Sequence, residues 1–248
     1  MPKLKIAWFS AGVSSMVATF LTPDIDKIIY IHIDDQHEDS IRFVKDSERL
    51  FNKEIEIVQS DRYKNVADCI LGHGFIRNPY SMYHPCTSVL KRQVRKDWEE
   101  QHKNYDLTYV WGMDLNEGLG SDNRAKRLMS SNPDYQHEFP LITKQLTKQE
   151  AHGICSCEGI KRPLMYDLGF HNNNCVGCVK GGFWYWNHIR KIFPDVFDAW
   201  SKHERTLGAS ILHDKNGAVY LDELDPKRGK KTEEISIDCN VACLMRGF

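Results

Sequence analysis

Two short, almost uninterrupted apolar runs, IAWF at residues 6–9 and KIIYIHI at 27–33, with a third strand-like segment, EIEIV at 54–58, constrain this chain more than any other feature. Strands covered on both faces lose the polar alternation of half-exposed strands, so such runs read as members of a buried parallel sheet. Between them lie segments of helical character, one beginning at Met16-Val17-Ala18 and one carrying Ile41, Val44, Leu50 and Phe51. Strand, helix, strand, helix, strand predicts a parallel sheet with right-handed crossovers and a ligand crevice off the carboxyl ends of the strands. A fourth strand is expected at residues 106–111. The fold class is therefore α/β, a doubly wound parallel sheet.

The first of these runs stops at Ser10. Residues 10–15, Ser10-Ala11-Gly12-Val13-Ser14-Ser15, are mostly small, and Gly12 is free to adopt backbone angles closed to other residues. A strand that turns through such residues onto a helix N-terminus aims backbone N–H groups at one point, where the helix dipole also favours negative charge. That pattern predicts a phosphate site, and an ordinary tight turn is the competing explanation. Asp34 and Asp35 fall at the end of the second strand, suited to a ribose or a metal ion, or to capping a turn.

Lys and Arg total 33 against 34 acidic residues, so no global basic excess marks a nucleic-acid protein and any such contact needs a local patch. With no signal peptide and no apolar stretch of spanning length, the expected setting is cytoplasmic and away from membranes. The eight cysteines are then expected to be reduced, and their clustering points to metal or redox chemistry. The domain boundary is placed near residue 150: residues 1–150 form the sheet domain and residues 151–248 a cysteine-rich extension packed on it.

Further along, residues 72–85 read as a loop over the site, followed by a basic helix that carries Lys91. Gly112 leaves the fourth strand towards Glu117 and Arg124. Lys91 and Arg124 are the cations expected to neutralise phosphate charge. Thr147 and Glu150 have capping-box spacing for a helix from Lys148. The aromatics at 184–200 read as core, residues 211–221 as a hairpin turning at Asn216-Gly217, and residues 226–231 (PKRGKK) as a mobile basic loop.

Cys175-x-x-Cys178 is the strongest metal signal, because two thiolates on a tight turn reach one ion and Gly177 removes crowding. One pair does not complete a site. The remaining ligands must come from Cys86, Cys155, Cys157, Cys239 or Cys243, while Cys69, inside an apolar helix, reads as structural.

In this order the motifs resemble those of the phosphoadenylylsulfate reductase-like branch of the PP-loop ATP pyrophosphatase superfamily, within the adenine nucleotide alpha hydrolase fold. Residues 10–15 are similar to its Ser-Gly-Gly-x-Asp-Ser loop, Asp34-Asp35-Gln36 to its Asp-Thr-Gly, and Cys86 through Lys91 to its Cys-x-x-x-x-Lys. Gly112, Glu117 and Arg124 match its Gly-x-Arg-x-x-Glu-Ser…Arg element in part, and Pro140-Leu141 and residues 164–178 match its final Pro-Leu, Tyr, Gly and Cys-x-x-Cys elements. The resemblance spans roughly residues 5–180. It implies a Rossmann-like sheet of the HUP type, with a helical and hairpin extension that bears a metal or cluster.

Three departures matter. Ser14 replaces a loop Asp, which removes a carboxylate for magnesium. Cys86 is followed by Thr87 where iron–sulfur members have a second Cys, leaving three matching thiols, with Cys243 or Cys239 as the fourth. Asp238-Cys239-Asn240 is similar only in position to the reductases' nucleophilic cysteine motif. What the resemblance implies is an adenine-nucleotide-dependent enzyme of sulfur chemistry. The nucleotide is ATP or a sulfonucleotide, magnesium is a candidate ion, and a [4Fe–4S] cluster is favoured over zinc at Cys86, Cys175, Cys178 and Cys243. The leading expectation is ATP-dependent activation of an acceptor, with tRNA or DNA as candidates, followed by sulfur transfer. One alternative is a sulfonucleotide reductase that uses Cys239 as nucleophile; another is a non-catalytic nucleotide or nucleic-acid-binding module with structural zinc. A homodimer is a candidate assembly.

Overall fold

The apolar runs form the strands they predict. In the computed structural model, which describes residues 1–78, 83–121, 123–231 and 235, β1 (Lys3–Phe9), β2 (Lys27–Ile31), β3 (Ile55–Val58), β4 (Asp106–Val110) and β5 (Gln136–Glu138) make one sheet. Its order is β3-β2-β1-β4-β5 and every pairing is parallel. The last strand is not predicted by the apolar pattern, because Gln136-His137-Glu138 is a short polar edge with no buried residue.

Helices cover both faces, as a buried parallel sheet requires. On one face lie α1 (Val13–Phe20) and α2 (Asp39–Phe51), packed through Met16, Val17, Phe43 and Val44 onto Ala7, Phe9, Ile28 and Tyr30. On the other, Ile6, Trp8, Ile29, Leu107 and Tyr109 meet Trp98. Alternate residues of β1 thus feed two separate cores, which is why the whole run had to be apolar.

Beyond β3 come α3 (Val66–His73) and a helical stretch made of α4 (Pro85–Thr87), a π-helical turn (Ser88–Gln93) and α5 (Val94–Gln101). The predicted loop at 72–85 is described only outside residues 79–82. After β4 follow α6 (Leu115–Gly118), α7 (Arg124–Ser131), α8 (Pro140–Thr143) and α9 (Lys148–Cys157), the last with the Thr147–Glu150 capping box formed. Helix α9 packs on α1 and so completes the first core.

Then come α10 (Leu164–Asp167), α11 (Phe183–Ile192), α12 (Pro194–Leu207) and the hairpin β6 (Leu212–Asp214) and β7 (Gly217–Val219). The hairpin turns one residue earlier than expected: Asp214 pairs with Gly217, so Lys215-Asn216 form the tip. Trp186, Ile189, Phe197 and Trp200 are buried with Ile70, Leu90 and Cys175 in a third core. The basic loop is not free as its composition suggested. Asn187 Nδ2 donates to the carbonyls of Asp225 and Arg228 (both 2.8 Å), Arg228 pairs with Asp214, and Gly229 lies against the Trp184 backbone.

No helix among the described residues is long and apolar enough to cross a membrane.

Candidate functional site

The sheet order places the change of winding direction at β1, whose neighbours are β2 and β4, so the crevice opens off the carboxyl ends of these strands. Residues 10–15 occupy it. Ala11 is buried and takes a left-handed conformation (φ 54°), and Gly12 is the extended N-cap of α1 (φ −104°) with no side-chain cap. The N-cap residue of α1 therefore offers the first-turn N–H groups no side-chain acceptor of its own. Ser15 Oγ instead accepts from Ser10 N (3.0 Å), which folds the loop on itself. The Val13 N–H approaches the Tyr166 hydroxyl (3.4 Å).

Two glycines set how tightly the crevice closes. A Cβ on Gly112 would come within 2.4 Å of Ser15 Cα and 2.6 Å of its nitrogen, so the chain leaving β4 lies directly on the first turn of α1. A Cβ on Gly12 would come within 3.3 Å of the Tyr166 hydroxyl oxygen. Ser14, which stands where a carboxylate was expected from the resemblance, is half-buried in the same turn.

At the end of β2, Asp34 is half-exposed and accepts from Gln59 Nε2 (2.7 Å), with His32 Nε2 at 3.5 Å. Asp35 accepts the Val66 N–H (2.6 Å) at the start of α3, and burial raises its carboxyl above the usual range. One of the two candidate ribose or metal carboxylates is thus engaged in holding a helix. Asp35 is also a backbone partner of the cysteine turn: its carbonyl accepts from Val176 N (2.7 Å), and Gln36 forms an antiparallel bridge with Cys175.

That bridge brings Cys175 to the carboxyl edge of the sheet. Gly177 (φ 77°) makes the turn, and a Cβ there would meet Val196 and Trp200 of α12 at 2.8 and 2.9 Å. Tyr185 staples the turn from α11: its hydroxyl accepts from Cys178 N (2.9 Å) and donates to the Cys175 carbonyl (3.1 Å).

Cys86, in α4, is close enough to feel the charge of Cys178 and Lys91, and Cys69 that of Cys86. Burial pushes the Cys175 thiol up to about 12, against the Lys91 ammonium, and raises Cys86. Cys86, Cys175 and Cys178 thus share one neighbourhood. Among the described residues, however, no group of three or more His, Cys, Asp or Glu side chains is gathered as ligands of one ion. Cys239 and Cys243 lie outside the described residues. The thiols present do not by themselves form the donor set a zinc ion or a cluster requires.

The predicted cations separate. Lys91 is exposed on the π-helical turn beside the thiols, whereas Arg124 is exposed and ion-paired with Glu117. A further cation was missed from the sequence. Lys148 donates to Asn172 Oδ1 (2.6 Å), and burial lowers its pKa in spite of the nearby Asp114 and Glu117 carboxylates. Also missed was Asn173, whose Nδ2 donates to the Ala11 carbonyl (2.7 Å) and to Ser40 Oγ (3.0 Å). The Asn172-Asn173-Asn174 triplet beside the cysteines was the available signal. Beneath the loop, His152 is buried with neither ring nitrogen hydrogen-bonded and stacks edge-on against Tyr166 (4.6 Å).

Among solved structures the chain is similar to the phosphoadenylyl-sulfate (PAPS) reductase of Candida auris in its phosphate complex, with a TM-score of 0.46, 10% identity, and coverage of 66% of this chain and 78% of that one. No family model matches the sequence, and neither does any curated protein.

Proposed function

We propose that the crevice binds an adenine nucleotide, with its phosphates on the N–H groups of residues 10–15, and that the protein carries out sulfur chemistry with the neighbouring thiols. The observation that carries this reading is the Gln36–Cys175 bridge with its partner bond from Val176 N to Asp35 O, which sets the thiols at the same sheet edge as the loop. An uncapped helix start and a packed Gly112 supply backbone donors in a fixed array, which is what a phosphate needs.

In the leading form the nucleotide is ATP. An acceptor oxygen attacks the α-phosphorus and pyrophosphate leaves; one thiolate takes the outer sulfur of an external persulfide donor, whose own thiolate leaves, and the resulting persulfide then attacks the activated carbon with its outer sulfur and AMP leaves. A second thiolate breaks the S–S bond, releasing the thiolated product and leaving a disulfide that an external dithiol reduces. Lys91 and Lys148 contribute charge stabilisation rather than bonds. Magnesium would be held by the nucleotide's own phosphates, since Ser14 offers no carboxylate.

A second reading, a sulfonucleotide reductase with Cys239 as nucleophile, is favoured by Ile235. This residue packs on the core formed by α1 and α9, and its carbonyl accepts from Arg162 Nη1 (3.1 Å). Ile235, four residues before Cys239 in the sequence, is thereby tethered to the segment that also presents Tyr166 to the loop.

Release of pyrophosphate from ATP in the presence of RNA, DNA or small acceptors tests the first form. Sulfite released from adenylyl sulfate or its 3′-phosphorylated form, and lost in Cys239→Ser, selects the second. Neither product from any nucleotide would overturn both.

A further inference from the structure

We propose that Asn173 is a positioning residue that transmits occupancy of the residue 10–15 loop to the turn between Cys175 and Cys178. This inference rests on the adenine-nucleotide reading of the loop and assigns a route between its two halves. Asn173 is 7% exposed and its Oδ1 has no partner, so its amide is oriented only by the two bonds from Nδ2. One of those bonds ends on the loop and the other on the start of α2.

The Ala11 carbonyl that Asn173 holds belongs to the same planar peptide as the Gly12 N–H. When a phosphate draws that N–H towards itself, the carbonyl at the other end of the plane must swing, and the Asn173 amide swings with it. Ala11 stands at φ 54°, a conformation an alanine occupies at a cost, so this peptide is held in place by its partners rather than by its own preference.

Two residues on, the chain is fixed in the opposite sense. Cys175 is bridged to Gln36, whose side-chain oxygen accepts from Tyr30 Oη (2.7 Å) and Ile33 N (3.0 Å), and the Cys178 N–H is fixed by Tyr185. A displacement of Asn173 therefore has little slack to absorb it before the turn. The nucleotide loop and the thiols, otherwise built on separate cores, are joined at Asn173 by this side chain, on the Ala11 carbonyl, and by the Tyr166 hydroxyl, which meets both the Val13 N–H and the Asn173 backbone.

Hydrogen–deuterium exchange resolved by peptide tests the route, with ATP as the probe on the full chain. In the wild type, saturating ATP is expected to slow exchange at least threefold both at residues 12–16 and at residues 174–179. In Asn173→Ala the slowing at 12–16 persists and that at 174–179 disappears. Asn173→Asp, nearly the same volume but without the donor, behaves as Asn173→Ala and keeps the test decisive if the alanine variant fails to fold. Slowing at 174–179 that survives in the variants, or that is absent from the wild type while the loop slows, overturns the proposal alone. No slowing in the wild type at either place overturns the nucleotide reading and the proposal with it.

Discussion

The loop at residues 10–15 and the turn at residues 175–178 face the same crevice and are built in opposite ways. The loop is a stretch of backbone with small side chains, placed by the strand before it and by a glycine just after β4, and the helix it opens carries no side-chain cap. The turn is wrapped by large side chains, Tyr185, Val196 and Trp200, and burial holds the Cys175 thiol in its protonated form at neutral pH. A site that waits for a charged ligand must leave polar groups unsatisfied. A site that must not react prematurely does better to bury its nucleophile. The pair amounts to a receptive half and a silent half.

Substitutions can break one half and spare the other. Gly112→Ala drives a Cβ into the Ser15 backbone, where nothing flexible can give way. It should cost about 3 kcal/mol in denaturant unfolding and abolish ATP binding. Gly177→Ala forces a left-handed alanine against Val196 and Trp200. The expected loss is about 2 kcal/mol, with ATP affinity within about twofold of wild type. Comparable loss of ATP binding in both variants would erase the distinction between the halves.

A pH experiment sharpens the comparison from beneath the loop. Burial, with the positive charges of Arg162, Lys148 and His171, lowers the His152 imidazole from 6.5 to about 3. The unfolded chain takes up this proton near pH 6.5 and the folded one does not until about pH 3, so the unfolded state binds more protons between those values. Stability therefore falls as pH drops through that window, by up to about 1.4 kcal/mol per pH unit. Between pH 6.5 and 5, above most carboxylate titrations, His152→Leu should show a shallower decline than wild type; equal slopes would remove the imidazole from the account. The smallest effect is expected at Ala11→Gly, which relaxes the left-handed loop residue and should raise stability by about 0.5 kcal/mol, read as a shift in the unfolding midpoint.

What could be read from the sequence follows the same division. The strands β1 to β4, the loop and the capping box at Thr147 are written in contiguous residues, because each depends on local periodicity or on one turn. The short edge strand at Gln136–Glu138 was not, since its pairing with β4 needs no apolar residues of its own. Nor was the anchoring of residues 226–231, which depends on Asn187, Arg228 and Trp184, residues that meet only when α11 folds. Asp35 reads from the sequence as a ligand for ribose or metal or as a turn cap, and the bond it accepts at the start of α3 is set by where Val66 arrives. Likewise the bond of Asn173 to the loop and that of Lys148 to Asn172 are products of tertiary packing.

Calorimetric titration of ATP into the full chain reaches the central claim most directly. Saturable heat with one site per chain, displaced by pyrophosphate and absent in Gly112→Ala, is the predicted outcome. No heat from ATP, AMP or adenylyl sulfate, with the protein folded, would contradict the account at its root.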